Sequence, residues 1–245
     1  MKKATWLVLV GLLLIGIVVP GCSAGTSKLQ VATDATWPPF EYVNTDTKAI
    51  EGFDIDVMTA IAEKAGLDIE FVNVGWDPLL AGMAQGTYDL AISSITITED
   101  RKKDMLFSDP YFAAGQIVIV GIDNTAITGP QTLSGTVGAQ IGTTGAFEIE
   151  KVAAATLKTY DDIGFAVQDL MNGQIVAVVC DNPVALDYVR ENSGKLKTVG
   201  GAFTDEYYGI AAAKGNEDVV AKINTAIAAL KTEGLFEELT KKWLE

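Results

Sequence analysis

The stretch YDLAISSITITEDRKKDMLFSDPYF, residues 88–112, decides how the rest of the chain is read. Tyr88 to Ser93 is a short apolar run that follows Gly86 and ends in hydroxyl residues. Such a run, bounded by turn-forming and polar residues, predicts a strand covered on both faces, as in a parallel sheet. Ser94 to Thr98 then alternates hydroxyl and apolar residues, and Glu99 and Asp100 open a charged helical turn. Thr98 fits an N-cap, with its hydroxyl accepting from a free amide while the two acids complement the positive helix end. Arg101 follows beside small hydroxyl residues and exposed loop amides, which suits a carboxylate: a planar fork with further donors at hand. A solvated helix face carrying EDRKKD is the plainer reading of the same residues.

Outward from this stretch, strands and helices alternate. Leu29–Thr33 reads as the first strand, with Asp34 at its carboxyl end. In ATWPPFEY, residues 35–42, two prolines argue against regular structure and three aromatics crowd a short loop. Gly52–Gly66 places Ile55, Met58, Ile61, Ala62 and Ala65 at helical spacing before a glycine stop. Ile69–Val74 reads as a second strand, and GWDPLLAGMAQG as a loop and helix leading to the central strand. Beyond Pro110 the pattern resets, with strands at Gln116–Gly121, Thr136–Gln140, Ile175–Cys180 and Leu196–Val199. Between them come a GTTG loop (Gly142–Gly145) opening a helix from Ala146, and helices at Asp161–Met171 and Pro183–Glu191. Residues 202–216 return as an extended crossing segment, and Asn224–Glu233 and Leu235–Trp243 close the chain as helices. Repeated strand–helix–strand units predict an α/β fold with parallel sheets flanked by helices. Two such units crossed twice, at residues 111–115 and 205–209, predict two lobes, a two-strand hinge and a cleft.

Met1 to Gly21 carries Lys2 and Lys3, a run of apolar or small residues and then Pro-Gly-Cys. That is the layout of an export signal. VVPGC resembles a lipoprotein cleavage box, which makes Cys22 the lipidated first residue, 22–28 a tether, and the location extracytoplasmic at a membrane surface. An ordinary secretory signal with an incidental cysteine is the alternative. Without Cys22 only Cys180 remains, so no disulfide within the chain is expected. The formal charge is −14; without Lys2 and Lys3, 16 basic residues face 32 acidic ones, giving −16. That excess argues against a nucleic-acid partner. The chain has no histidine, which removes Ser–His and Cys–His nucleophile pairs and argues against a transition-metal site; no cofactor is expected.

The segments SSITITEDRKKDMLFSDPYF and GFDIDVMTAIAEKAG resemble those of family 3 of the extracellular solute-binding proteins, the polar and basic amino-acid-binding proteins of ABC importers. The similarity runs along most of the chain after the leader. It implies a two-lobed periplasmic-binding-protein fold of type II, with residues 29–111 and 209–245 in lobe one and 115–204 in lobe two. It also implies a monomer that binds a free amino acid, delivers it to a membrane permease and catalyses nothing.

Open α/β sheets bind ligands outside the carboxyl ends of their strands. Four such ends carry polar residues here: Asp34, Ser93–Thr96, the Gln140–Gly145 loop and Asp181. Each has a plain structural reading. Asp34 could form an Asx turn, GTTG could merely turn strand into helix, and Asp181 could cap the helix at Pro183. Trp37, Phe40 and Trp76 could be core aromatics. By the resemblance, Arg101, Ser94, Thr96, Thr143 and Thr144 would serve the α-carboxylate, Asp181 the α-ammonium, and Asp34, Trp37 and Trp76 the side chain, with Ser93, Phe40 and Gln140 also among the ligand-binding positions. Gln140 stands where the glutamine-binding relative has lysine, while Ser93–Ser94 and the tryptophan of VGWDPLL look more like the basic-amino-acid binders, so arginine, lysine or histidine is expected ahead of glutamine. An aromatic wall beside a carboxylate suits a cation. A dinucleotide site is a poor match because GAQIGTTG has the wrong glycine spacing. A cyclohexadienyl-dehydratase-like enzyme on this fold would need a protonated acid in the cleft, with Glu41 or Glu148 as candidates. A sensor ectodomain is a third class.

Overall fold

The structure, a computed structural model, describes residues 28–245. The expected leader and the lipidation site at Cys22 lie outside the described residues.

The chain begins with β1 (Leu29–Thr33), a ribbon of β2 (Thr36–Trp37), β3 (Glu41–Val43) and β4 (Ile50–Glu51), then α1 (Phe53–Ala65) and β5 (Ile69–Asn73). It continues through α2 (Trp76–Gln85), β6 (Leu90–Ala91), the single turn α3 (Arg101–Asp104) and β7 (Leu106–Phe107). β8 (Phe112–Ala114) leads into β9 (Gln116–Gly121), β10 (Gly135–Gln140), α4 (Thr144–Glu150), β11 (Ala155–Tyr160) and α5 (Ile163–Met171). Then come β12 (Ala177–Asp181), α6 (Asn182–Glu191) and β13 (Leu196–Val199). β14 (Glu206–Tyr208) returns to β15 (Ala211–Ala212), and α7 (Glu217–Glu233) and α8 (Leu235–Trp243) finish the chain.

Two five-stranded sheets result, ordered β5-β1-β6-β15-β7 and β11-β10-β12-β9-β13. β8 and β14 pair antiparallel between them, Phe112 opposite Tyr208. Both sheets are mixed rather than wholly parallel. β15 runs against β6 and β7, and β9 runs against β12 and β13. The reason is where the chain crosses. Gln116 enters opposite Asp181, at the carboxyl end of β12, and Ala211 enters opposite Ala91, at the carboxyl end of β6. A strand entering from that end must run against its neighbour.

Helix α1 illustrates how the core is built. Val57, Met58 and Ile61 are fully buried, and Gly66 ends the helix in the left-handed region (φ 65°), which only glycine adopts without cost. Its buried face packs with Ile223, Ile227 and Leu230 of α7 and Phe236 and Leu239 of α8. Each such side chain contributes about 1.5–3 kcal/mol when fully buried. The Trp243 indole donates to Asp56 Oδ2 at 2.7 Å, pinning the last helix to the first turn of α1.

The proline-rich loop differs from expectation. Thr36–Trp37 pairs with Glu41–Tyr42, and Pro38 and Pro39 sit in the turn between. There the missing N–H groups disturb no ladder. β11 had no counterpart in the sequence reading, because ATLKTY alternates partly buried and exposed positions along a sheet edge. Gly52 is required where it stands. Its φ is 140°, and a Cβ there would lie 2.0 Å from the Phe40 carbonyl oxygen. This close approach lets Phe40 O accept from the Asp54 N–H at 3.0 Å, which seats the start of α1 beneath the ribbon.

Candidate ligand site

A cavity lies between the two sheets, at the carboxyl ends of their parallel strands. From the first sheet and its connections come Asp34 after β1, Trp37 and Glu41 of the ribbon, Trp76 at the start of α2, Ser93, Ser94 and Thr96 after β6, and Arg101 at the start of α3. From the second come Gln140 at the end of β10, Thr143 and Thr144 at the start of α4, and Asp181 at the end of β12. Thus every candidate but Phe40 faces one space. Phe40 instead packs edge-on against Phe53, Phe112 and Tyr208 at 5.1–5.5 Å between ring centroids. It occupies the ribbon's turn and points into the core, while Trp37 and Glu41, a cross-strand pair, line the cavity.

Arg101 is held on several sides. Thr98 Oγ1 accepts from its backbone N–H at 3.1 Å, the capping role expected of that threonine. Its guanidinium lies 5.2 Å over the Trp76 ring and donates to the carbonyls of Thr96 (2.8 Å) and Gly142 (3.2 Å). Burial lowers its pKa to about 10, while Asp181 and Glu206 oppose the fall, so it stays charged at neutral pH. One face of Trp76 is therefore occupied by a cation of the protein itself.

Three acids line the space and a fourth stands behind one of them. Asp34 Oδ2 accepts from Gln140 Nε2 at 2.9 Å and its Oδ1 from Thr36 Oγ1 at 3.0 Å; burial raises its pKa nonetheless. Asp181 is pushed up to about 7, first by burial and then by Glu206, and among the described residues no donor reaches its Oδ1. Glu41 accepts from Ser93 Oγ at 2.9 Å and is raised well above the usual carboxylate range by burial and by Asp54. Asp54 stands behind Glu41, with Oδ2 accepting from the Ser94 N–H and from Tyr111 Oη, both at 2.7 Å. Ser94 takes a left-handed backbone (φ 48°) at this position.

The hydroxyl groups are less free than expected. Glu206 Oε2 accepts from Thr96 Oγ1 (2.9 Å) and Thr144 Oγ1 (2.8 Å), and its Oε1 from Thr204 Oγ1 (2.8 Å). Thr143 Oγ1 donates to the Gln140 carbonyl at 2.7 Å and accepts from the Ala146 N–H, capping α4. With their hydrogens so engaged, Thr96 and Thr144 offer lone pairs to the cavity rather than donors.

Three contributors are not evident from the sequence. Glu206 stands in the extended crossing segment with no local pattern around it. Glu41 carries no motif beyond its acid. Asp54 carried a usable signal, since it shares the inward face of α1 with Met58 and Ile61 at helical spacing. Glu148, the other acid weighed for catalysis, lies outside this cavity and pairs with Lys151. Cys180 is buried, which pushes its thiol pKa up and leaves it inert. Among the described residues no group of three or more His, Cys, Asp or Glu is placed to hold a metal ion.

Residues 29–245 match the model for bacterial extracellular solute-binding proteins, family 3. The chain belongs to this family. A protein of Neisseria gonorrhoeae named "Probable histidine-binding protein" is 34% identical over 222 residues, covering 87% of this chain and 82% of that protein. Among solved structures, an ancestral arginine-binding protein bound to glutamine superposes with a TM-score of 0.83 at 42% identity, covering 88% of this chain and 97% of that one. An ancestral arginine-binding protein bound to arginine gives 0.85 at 40% identity, covering 89% and 98%. The two-lobed family 3 fold is thus this chain's fold, and the cavity described above lies between its two sheets.

Proposed function

We propose that this family 3 solute-binding protein captures a cationic amino acid, arginine, lysine or histidine, and presents it to an ABC importer permease. The observation that carries the reading is the charge balance of the cavity: Asp34, Glu41 and Asp181 line it against one guanidinium, Arg101. A zwitterionic amino acid pairs its carboxylate with Arg101 and its ammonium with Asp181. Asp34 and Glu41 are then left over, and a buried acid is costly unless a cation joins it. Residues 111–115 and 205–209 act as the hinge about which lobes 29–111 with 209–245 and 115–204 close. The protein works outside the cytoplasm as a monomer, held to the membrane by a lipid on Cys22, and releases its ligand unchanged. The relatives named for histidine and arginine support the ligand class, and glutamine is the second reading because one of them holds it.

The test is a thermal-shift and calorimetric panel of arginine, lysine, histidine, glutamine and glutamate. A ligand that binds only the folded state raises the melting temperature by mass action. The largest shift is expected with a cationic amino acid. Tightest binding of glutamine or glutamate overturns the cationic assignment, and no response to any proteinogenic amino acid or to cystine overturns the receptor reading itself.

A further inference from the structure

Glu41 and Asp54 form a buried pair whose hydrogen bonding is incomplete. Ser93 serves Glu41 Oε1, and Ser94 N–H and Tyr111 Oη serve Asp54 Oδ2. Glu41 Oε2 and Asp54 Oδ1 are fully buried with no donor among the described residues. Two adjoining carboxylates cannot both be ionised out of water without a counter-charge, and two bare acceptors cannot bond each other. One proton between them satisfies both leftover oxygens. The two carboxyls are held by adjacent residues, Glu41 by Ser93 and Asp54 by Ser94, and the groups that bear most on them are Asp34, Ser93, Ser94 and Tyr111, with no cation among these. Tyr208 also faces the pair from β14.

Their access to the cavity differs. Glu41 lines it and Asp54 does not. Both oxygens of Asp34 already accept hydrogen bonds from Gln140 and Thr36. With Asp181 assigned to the α-ammonium, an incoming cationic side chain meets in Glu41 a less satisfied acid than Asp34.

We infer that Glu41 and Asp54 share one proton in the ligand-free cavity and release it to solvent when a cationic side chain reaches Glu41, so that the pair selects cationic over neutral amino acids. The step is a proton transfer alone. The O–H bond of the shared proton breaks, the proton passes to water, and both carboxylates remain ionised beside the ligand's cation. A neutral side chain supplies no counter-charge, so the proton stays. This inference rests on the amino-acid receptor reading, but a separate readout tests it.

That readout is the number of protons released on binding, from calorimetry near neutral pH in buffers of different ionisation enthalpy. L-Arginine and L-glutamine are the probes, applied to wild type, Glu41→Gln and Asp54→Asn. Asp181 meets the α-ammonium of either ligand, so its contribution is common to both. The pair adds up to about one further proton for arginine. Arginine is expected to release more protons from wild type than from either variant, and more than glutamine wherever glutamine binds. Glu41→Gln mimics the protonated acid and is expected to weaken arginine roughly 10- to 100-fold more than glutamine. Equal proton release by arginine from wild type and from both variants overturns the shared proton, even if arginine binds tightly. Absence of binding to wild type by arginine, lysine and histidine alike overturns this inference together with the cationic assignment. If one variant fails to fold, the other still decides, because a merely structural role does not change proton release.

Discussion

Gln140 Nε2 donates to Asp34 Oδ2 across the cleft at 2.9 Å, joining the two walls of the cavity through a neutral amide. A second bond from the same nitrogen to the Asp161 carbonyl, also 2.9 Å, fixes the amide's orientation. Gln140 thus satisfies Asp34 without neutralising it. Gln140→Lys is expected to put a cation against Asp34 and to weaken arginine relative to glutamine, by about 1.5–3 kcal/mol. Titration of both ligands into the variant checks this; an unchanged ratio of affinities means that Asp34 does not read the side chain.

Arg101 is the cation that lines the cavity, and it is oriented by two carbonyls and a tryptophan face. Arg101→Ala is expected to cost about 2–5 kcal/mol of binding, because the ligand carboxylate is left without its partner. Arg101→Lys restores charge but not the planar fork, so recovery is partial. Lys103, exposed and paired with Asp100, is the control. Calorimetry in which Lys103→Ala is the more damaging change refutes the assignment.

Asp34 and Asp181 lie on different sheets, so their effects separate. Asp181→Asn is expected to weaken all amino acids alike, since each carries the same ammonium. Asp34→Asn is expected to weaken arginine and lysine by about 1.5–3 kcal/mol while sparing glutamine. A uniform loss across the ligand panel in Asp34→Asn contradicts a role in selectivity.

The ligand-free protein is expected to be most stable on the acidic side of neutrality. Asp181 titrates at about 7 in the folded chain rather than at 3.8, and Glu41 and Asp54 are also raised, burial being the leading cause in each. Raised carboxyls bind more protons folded than unfolded, so the stability they contribute is complete below the unfolded pKa. It is lost as pH rises through the folded values, up to about 7 for Asp181. Denaturant melts at about pH 5 and about pH 8 should differ by a few kcal/mol. Saturating cationic ligand should flatten the slope by supplying counter-charges. Stability that rises with pH across this window contradicts the buried-acid account.

The alternation of strands and helices is legible in the chain alone, because buried strands and amphipathic helices write different periods into the apolar residues. The sequence marks Gly66 as a helix stop, and it points to Arg101, Asp34 and Asp181 because polar residues at strand ends and helix starts stand out against apolar runs. It could not show which neighbour of a short ribbon turns inward. Trp37 and Glu41 face the cavity while Phe40 enters the core, a choice made by cross-strand register and by packing on Phe53, Phe112 and Tyr208. Nor could it show that Glu41 meets Asp54, since that contact depends on Gly52 bringing the start of α1 against the Phe40 carbonyl. Glu206 is the clearest case. Its carboxylate gathers Thr96 and Thr144 from two distant parts of the chain beside its near neighbour Thr204, and hydrogen bonds between distant parts leave no period in the sequence. Local patterns record which face of an element is buried; which buried groups meet is decided only when the two sheets come together.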